Sequence, residues 1–143
     1  MRSDDDEILA SLDQLQSAAA GKVPDMVTAR IDRVATVVRE TVPRMTNLGP
    51  GSLTAHNVLR TATSYMPEAV SAYMRLPRSF ADHRPVSNGK TSLTVLCDQL
   101  DLLGSKMDEI RDAVHKHDSD RLLANGRFLE ERFGTKSDLS LPS

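Results

Sequence analysis

TSLTVLCDQLDLLGSKMDEIRDAVHKH, residues 91–117, is the most regular stretch of the chain. Its apolar residues Leu93, Leu96, Leu100, Leu103, Met107, Ile110 and Val114 recur at alternating steps of three and four. That spacing lines one face of a helix and makes a heptad seam, whereas a strand alternates every second residue. The stretch reads as a long helix that needs another helix against it, with Leu100, Leu103, Met107 and Ile110 in a core. Gly104 lies one heptad after Cys97 beside the seam. A glycine inside a helix costs up to about 1 kcal/mol, so Gly104 marks a close approach by another helix. A second copy of the chain could also use the seam, which makes a homo-oligomer one expectation.

Outward from this helix the chain keeps a helical period. Asp118 is placed to cap a last helix that runs through Leu122, Phe128 and Leu129 to Phe133, with Gly134 closing it. Upstream, residues 77–90 hold two prolines and Asn88-Gly89, and read as the longest loop. Before it, Leu59, Ala62, Val70, Tyr73 and Leu76 carry an apolar stripe from a cap at Ser52, interrupted at Tyr65-Met66-Pro67. Proline lacks a donor and crowds the preceding turn, so a kink is expected there. Val27, Ile31, Val34, Val38 and Val42 mark another helix, which starts near Pro24 and ends by Asn47-Leu48-Gly49-Pro50-Gly51. The first helix runs from Asp4 to Ala20, with acids in its first turn and a thin stripe of Ile8, Leu12 and Leu15 that predicts loose attachment. The fold class is all-α: a bundle of about five helices, with a heptad-patterned helix and a proline-kinked helical pair. Residues 1–134 form one domain, and residues 135–143 are expected to be a disordered tail.

Composition narrows the function. The chain has 18 Lys and Arg against 20 Asp and Glu, a net charge of -2, which disfavours an electrostatic grip on nucleic acid. Cys97 is the only cysteine, so no intrachain disulfide forms. No apolar run approaches the roughly 20 residues of a membrane span, and no secretory signal opens the sequence. The expected location is the cytoplasm.

Catalytic and metal motifs are not evident, so no catalytic residue, metal ligand or cofactor is assigned. His115 and His117 lie two apart, which turns them away from each other on a helix. Asp98 and Asp101 near Cys97 oppose the electropositive setting a reactive thiolate needs. Asp98, Asp101, Ser105, Asp108 and Asp112 read as a solvated face opposite the seam, rather than a docking face for a basic partner. The one local excess of positive charge is Arg75, Arg78, Arg84 and Lys90, with His83 among them. Long loops often carry function, so these five residues are the candidate binding site for an acidic partner or an anion.

The segment from Leu59 to Leu76, with Tyr65-Met66-Pro67 at its break and Tyr73 and Leu76 at its end, resembles the bacterial XpaC-like family, labelled bromo-chloro-indolyl phosphate hydrolysis proteins. The similarity covers about residues 24–133. The family's pattern is a helix, a Tyr-Leu-Pro break, a second amphipathic helix, a loop and two more helices. The resemblance implies partnership with a protein like the toxic anion resistance protein TelA, and a place in tellurite or envelope stress. It implies no agreed catalytic residues. The expected function is a non-catalytic accessory or adaptor protein with a protein partner. The alternatives are a hydrolase or phosphatase, as the family label suggests, and an anion or nucleic-acid binder using the basic loop.

Overall fold

The computed structural model describes residues 4–48 and 52–134, and within them the chain is an all-helical bundle with one small hairpin. Helix α1 (Asp4–Ala19) turns back at Gly21, whose φ of 71° lies in the left-handed region glycine tolerates, into α2 (Asp25–Thr41). The two run antiparallel. Arg39 donates to Asp13 at 2.6 Å and Gln16 donates to Asp32 at 2.8 Å. α1 is not loosely attached, since Ile8 and Leu12 are completely buried. A thin stripe suffices because every one of its large apolar residues packs against the core.

A 3-10 turn (Val42–Leu48) follows α2. Ser52 then caps α3 (Leu53–Arg60) by accepting from the Ala55 N–H at 3.0 Å, as the sequence predicts. The proline-kinked pair proves to be one continuous rod: α3, a π-helical turn (Thr61–Tyr65) and α4 (Met66–Met74). The Met66 N–H reaches back five residues to the Thr61 carbonyl. The irregularity thus overlaps the expected break at Tyr65 and extends upstream of it, and the helix does not part. Val58, Ala62, Met66 and Val70 are all fully buried at strict steps of four. On a uniform α-helix three such steps drift by about 120°, and the extra residue of one π turn takes back about 100° of it. Two threonines bond the widened backbone, Thr61 to the Asn57 carbonyl and Thr63 to the Leu59 carbonyl.

Residues 77–90 are not an irregular loop. Helix α5 (Arg78–His83) is followed by strands β1 (Pro85–Ser87) and β2 (Lys90–Thr91), which pair antiparallel. Asn88 and Gly89 both have positive φ, 49° and 76°. That is the backbone an Asn-Gly hairpin turn requires, so the pair makes structure rather than excluding it.

Thr91 caps α6 (Ser92–Arg132) by accepting from the Thr94 N–H at 3.1 Å. α6 absorbs both helices expected after residue 91. Asp118 is an interior residue rather than a cap, because neither glycine nor proline stands between His117 and Arg121 to stop the helix. Leu96, Leu100, Met107 and Val114 are buried, but Leu103 and Ile110 are only half-buried. The buried face is centred on Leu100 and Met107 and turned toward Cys97 and Gly104, also buried, which leaves Leu103 and Ile110 at its edge.

α2 is the main helix against α6, and the two run parallel. Arg30 pairs with Asp101 at 3.0 Å, Arg33 with Asp108 at 2.5 Å, Arg111 with Glu40 at 3.3 Å, and Arg44 of the 3-10 turn with Asp118 at 3.3 Å. Both numberings rise together along this ladder. Gly104 sits under α2 as expected, but a side chain covers it: a methyl there would meet the Arg33 guanidinium. The expected tail, residues 135–143, lies outside the described residues.

Candidate interaction surfaces

Each basic residue singled out in the sequence lies at the corner made by the end of α4, α5 and the hairpin, but they do not form one site. Arg78 is held by Asp82, one turn along α5, at 3.0 Å, and also donates to the Lys22 carbonyl in the α1–α2 turn at 3.3 Å. The buried Tyr73 hydroxyl donates to the other Asp82 oxygen at 2.6 Å. Burial, and then this bond to Asp82, push the Tyr73 hydroxyl up to about 12. The same bond from Tyr73, with Arg78 adding to it, holds the Asp82 carboxyl below its ordinary value. Arg78, Asp82 and Tyr73 thus clamp α5 to the bundle. Lys90 is committed too, pairing with Asp98 at 2.6 Å and tying the hairpin to α6. Arg75, His83 and Arg84 are exposed, and Arg84 lies over the Phe80 ring at 5.9 Å. What is left is a modest cationic corner around one exposed ring.

The acidic row on α6 is not a free face opposite the seam. Asp98, Asp101 and Asp108 each meet a cation of the same chain, at Lys90, Arg30 and Arg33. The row borders the α2 contact instead of opposing it. Cys97 is buried, and burial raises its thiol above the ordinary value, with Asp101 and Asp98 adding to the effect. A protonated, covered thiol is packing volume rather than a nucleophile. Beside it Ala69, Ala72, Tyr73, Leu76, Val86 and Leu96 line a hollow of about 190 Å³. This is below the roughly 300–1,000 Å³ of small-molecule sites. Among the described residues no group of three or more His, Cys, Asp and Glu side chains is placed to hold a metal. No described helix is long and apolar enough to cross a membrane.

The least satisfied surface lies at the other end of α6. Val114 is the last buried residue, Arg44–Asp118 marks the end of the α2 line, and every residue from 119 to 134 is exposed. The helix continues past the bundle as an arm of about 20 Å. It carries Leu122 at 72% exposure, Leu123 at 59%, Phe128 at 53%, Leu129 at 40% and Phe133 at 53%. At about 100° per residue, Leu122, Leu129 and Phe133 lie within about 40° of one another. Leu122 follows Gly104 by five whole turns, so this stripe extends the side of α6 that α2 covers in the bundle. Gly126 lies between Leu122 and Leu129, and a methyl there would meet nothing.

Sequence reasoning misses the arm as a site, because a cap at Asp118 would separate the last helix from the heptad helix. A separate last helix could have folded back onto the bundle and buried its leucines. The absence of a helix breaker between His117 and Arg121 was the available signal. No family model, curated protein or solved structure matches the chain.

Proposed function

We propose that this chain is a non-catalytic helical accessory protein that works by binding another protein through the arm of α6. The observation that supports this reading is the bare stripe of Leu122, Leu129 and Phe133 on a helix that has left its own bundle. Contiguous exposed apolar surface on a folded chain marks an interaction site. A helix of this length also draws most of its stability from packing, and among the described residues nothing covers the arm. The setting comes from the resemblance of residues 59–76 to the XpaC-like family: a bacterial cytoplasmic adaptor in toxic-anion or envelope stress, with a TelA-like protein as partner. The buried, protonated Cys97 and the ion-paired carboxylates of α6 weigh against the hydrolase alternative.

The double variant Leu122→Ser/Leu129→Ser tests the reading. Both positions are exposed, so stability should stay within about 0.5 kcal/mol of the parent. Retention of the partner from an extract of the cells that make the protein should be lost. The parent protein should leave a chromogenic phosphate ester intact. Hydrolysis in proportion to protein concentration, or unchanged partner retention by the variant, would contradict it.

A further inference from the structure

The charges along the arm say what kind of chain covers it. Relative to the Leu122–Leu129–Phe133 stripe, Arg121 and Arg132 fall on one edge, within about 20° of each other, and Glu130 falls on the opposite edge. None of the three makes an ion pair among the described residues, although α6 pairs most of its charges inside the bundle. Phe128 widens the apolar face on the arginine edge and Leu123 widens it on the glutamate edge.

A second copy of the chain matches this surface poorly. In an antiparallel pair related by a twofold axis, each edge meets the same edge of the other copy. Arg121 would then lie beside Arg132 of the second copy, and the two glutamate edges would also meet, so like charges would oppose on both sides. A parallel pair would match the charges but not the shape. The stripe faces the α2 side, so both α2 helices would have to fit between two α6 helices, and packed helices are only about 8–10 Å apart. A lipid surface matches no better. Residues 119–134 carry Arg121, Arg127 and Arg132 against Asp120, Glu130 and Glu131, which leaves no net charge to draw them to anionic headgroups.

We propose that the arm's partner is an amphipathic helix of a different protein, which continues the line of α2 along α6 and sets an acidic edge against Arg121 and Arg132. This rests on the reading of the arm as a protein-docking surface. The bundle already contains the pattern: α2 sets Arg30 and Arg33 against Asp101 and Asp108, and Glu40 against Arg111, beside a shared apolar seam. Past Asp118 the same face of α6 continues with the seam bare.

The probes are two synthetic helical peptides with the same leucine stripe, one with glutamate on both edges and one with lysine. Binding to the full chain is measured by fluorescence anisotropy, and the state of the chain alone by sedimentation. The parent protein should be monomeric and prefer the glutamate-edged peptide. Arg121→Glu/Arg132→Glu should invert that preference, with a total swing of roughly tenfold. Leu122→Ser/Leu129→Ser should weaken both peptides. Binding that depends on the leucines but ignores the charge reversal would overturn the acidic-edged partner and leave the docking surface standing. Failure of both peptides to bind the parent would overturn the docking surface itself. A dimer of the parent that Leu122→Ser/Leu129→Ser dissociates would make the occupant a second copy. Flotation with phosphatidylserine-containing vesicles, lost in that same variant, would make it a lipid surface. Either result would overturn the proposal.

Discussion

At the scale of single residues, the five basic positions show how charge in a sequence differs from charge at a surface. Composition alone could group Arg75, Arg78, His83, Arg84 and Lys90, because they are close in number and acids are sparse between them. It could not show that Asp82 would take Arg78 while accepting from Tyr73, or that Asp98 would reach back to Lys90. Those choices depend on where α5 and the hairpin dock. The Tyr73–Asp82 bond has a consequence at high pH. In the unfolded chain Tyr73 loses its proton near 10, and in the folded protein near 12. Unfolding therefore releases a proton between these values. The stabilisation is complete below pH 10 and is lost as pH rises toward 12. Denaturant melts across this window should show the parent losing stability relative to Tyr73→Phe, which has no proton to lose, by on the order of 2 kcal/mol. Parallel pH profiles for the two proteins would show that the hydroxyl is not held in this way.

At the scale of elements, the heptad of residues 93–114 was legible because period alone determines which face is apolar. It could not say which side of that face would be deepest. α2 lies toward Gly104 and Cys97, and so Leu103 and Ile110 sit at the margin. Leu100→Ala should cost roughly 2–5 kcal/mol, and Leu103→Ala about half of that, in chemical denaturation. Equal losses would place the centre of the seam between them. The π turn was half legible. Pro67 pointed to an irregularity, but the stronger signal was the run of four-residue steps from Val58 to Val70. Returning the turn to α geometry would swing Met66 and Val70 about 100° away from the core. Pro67→Ala should therefore keep the bond from the Met66 N–H to the Thr61 carbonyl. A structure of the variant with a plain α turn there would make proline, not packing, the cause. Asn88-Gly89 teaches the converse. A pair read as a breaker is also the strongest short signal for a hairpin, and only the docking of the flanking residues decides between them.

At the scale of the whole molecule, the bundle holds the two candidate surfaces at opposite ends of α6. The α5 corner lies near Ser92 and the arm begins past Asp118, so about 45 Å of helix separates the corner from Leu122. The corner keeps little free charge. The arm keeps a whole apolar face, continuous with the face that organises the core, and this asymmetry favours the arm over the corner as a docking surface. The sequence revealed the bundle because periodicity reports which residues must be covered. It did not reveal the arm, because periodicity cannot report whether the cover comes from the same chain. The most direct measurement is site-specific photo-crosslinking in the cells that make the protein. A crosslinking residue is placed at Leu129 on the arm and, as a control, at Leu102, which is 59% exposed on the bundle. Docking through the arm should give one discrete adduct with a different protein from position 129 and none from position 102. Adducts from position 102 alone, or none from either position, would contradict it.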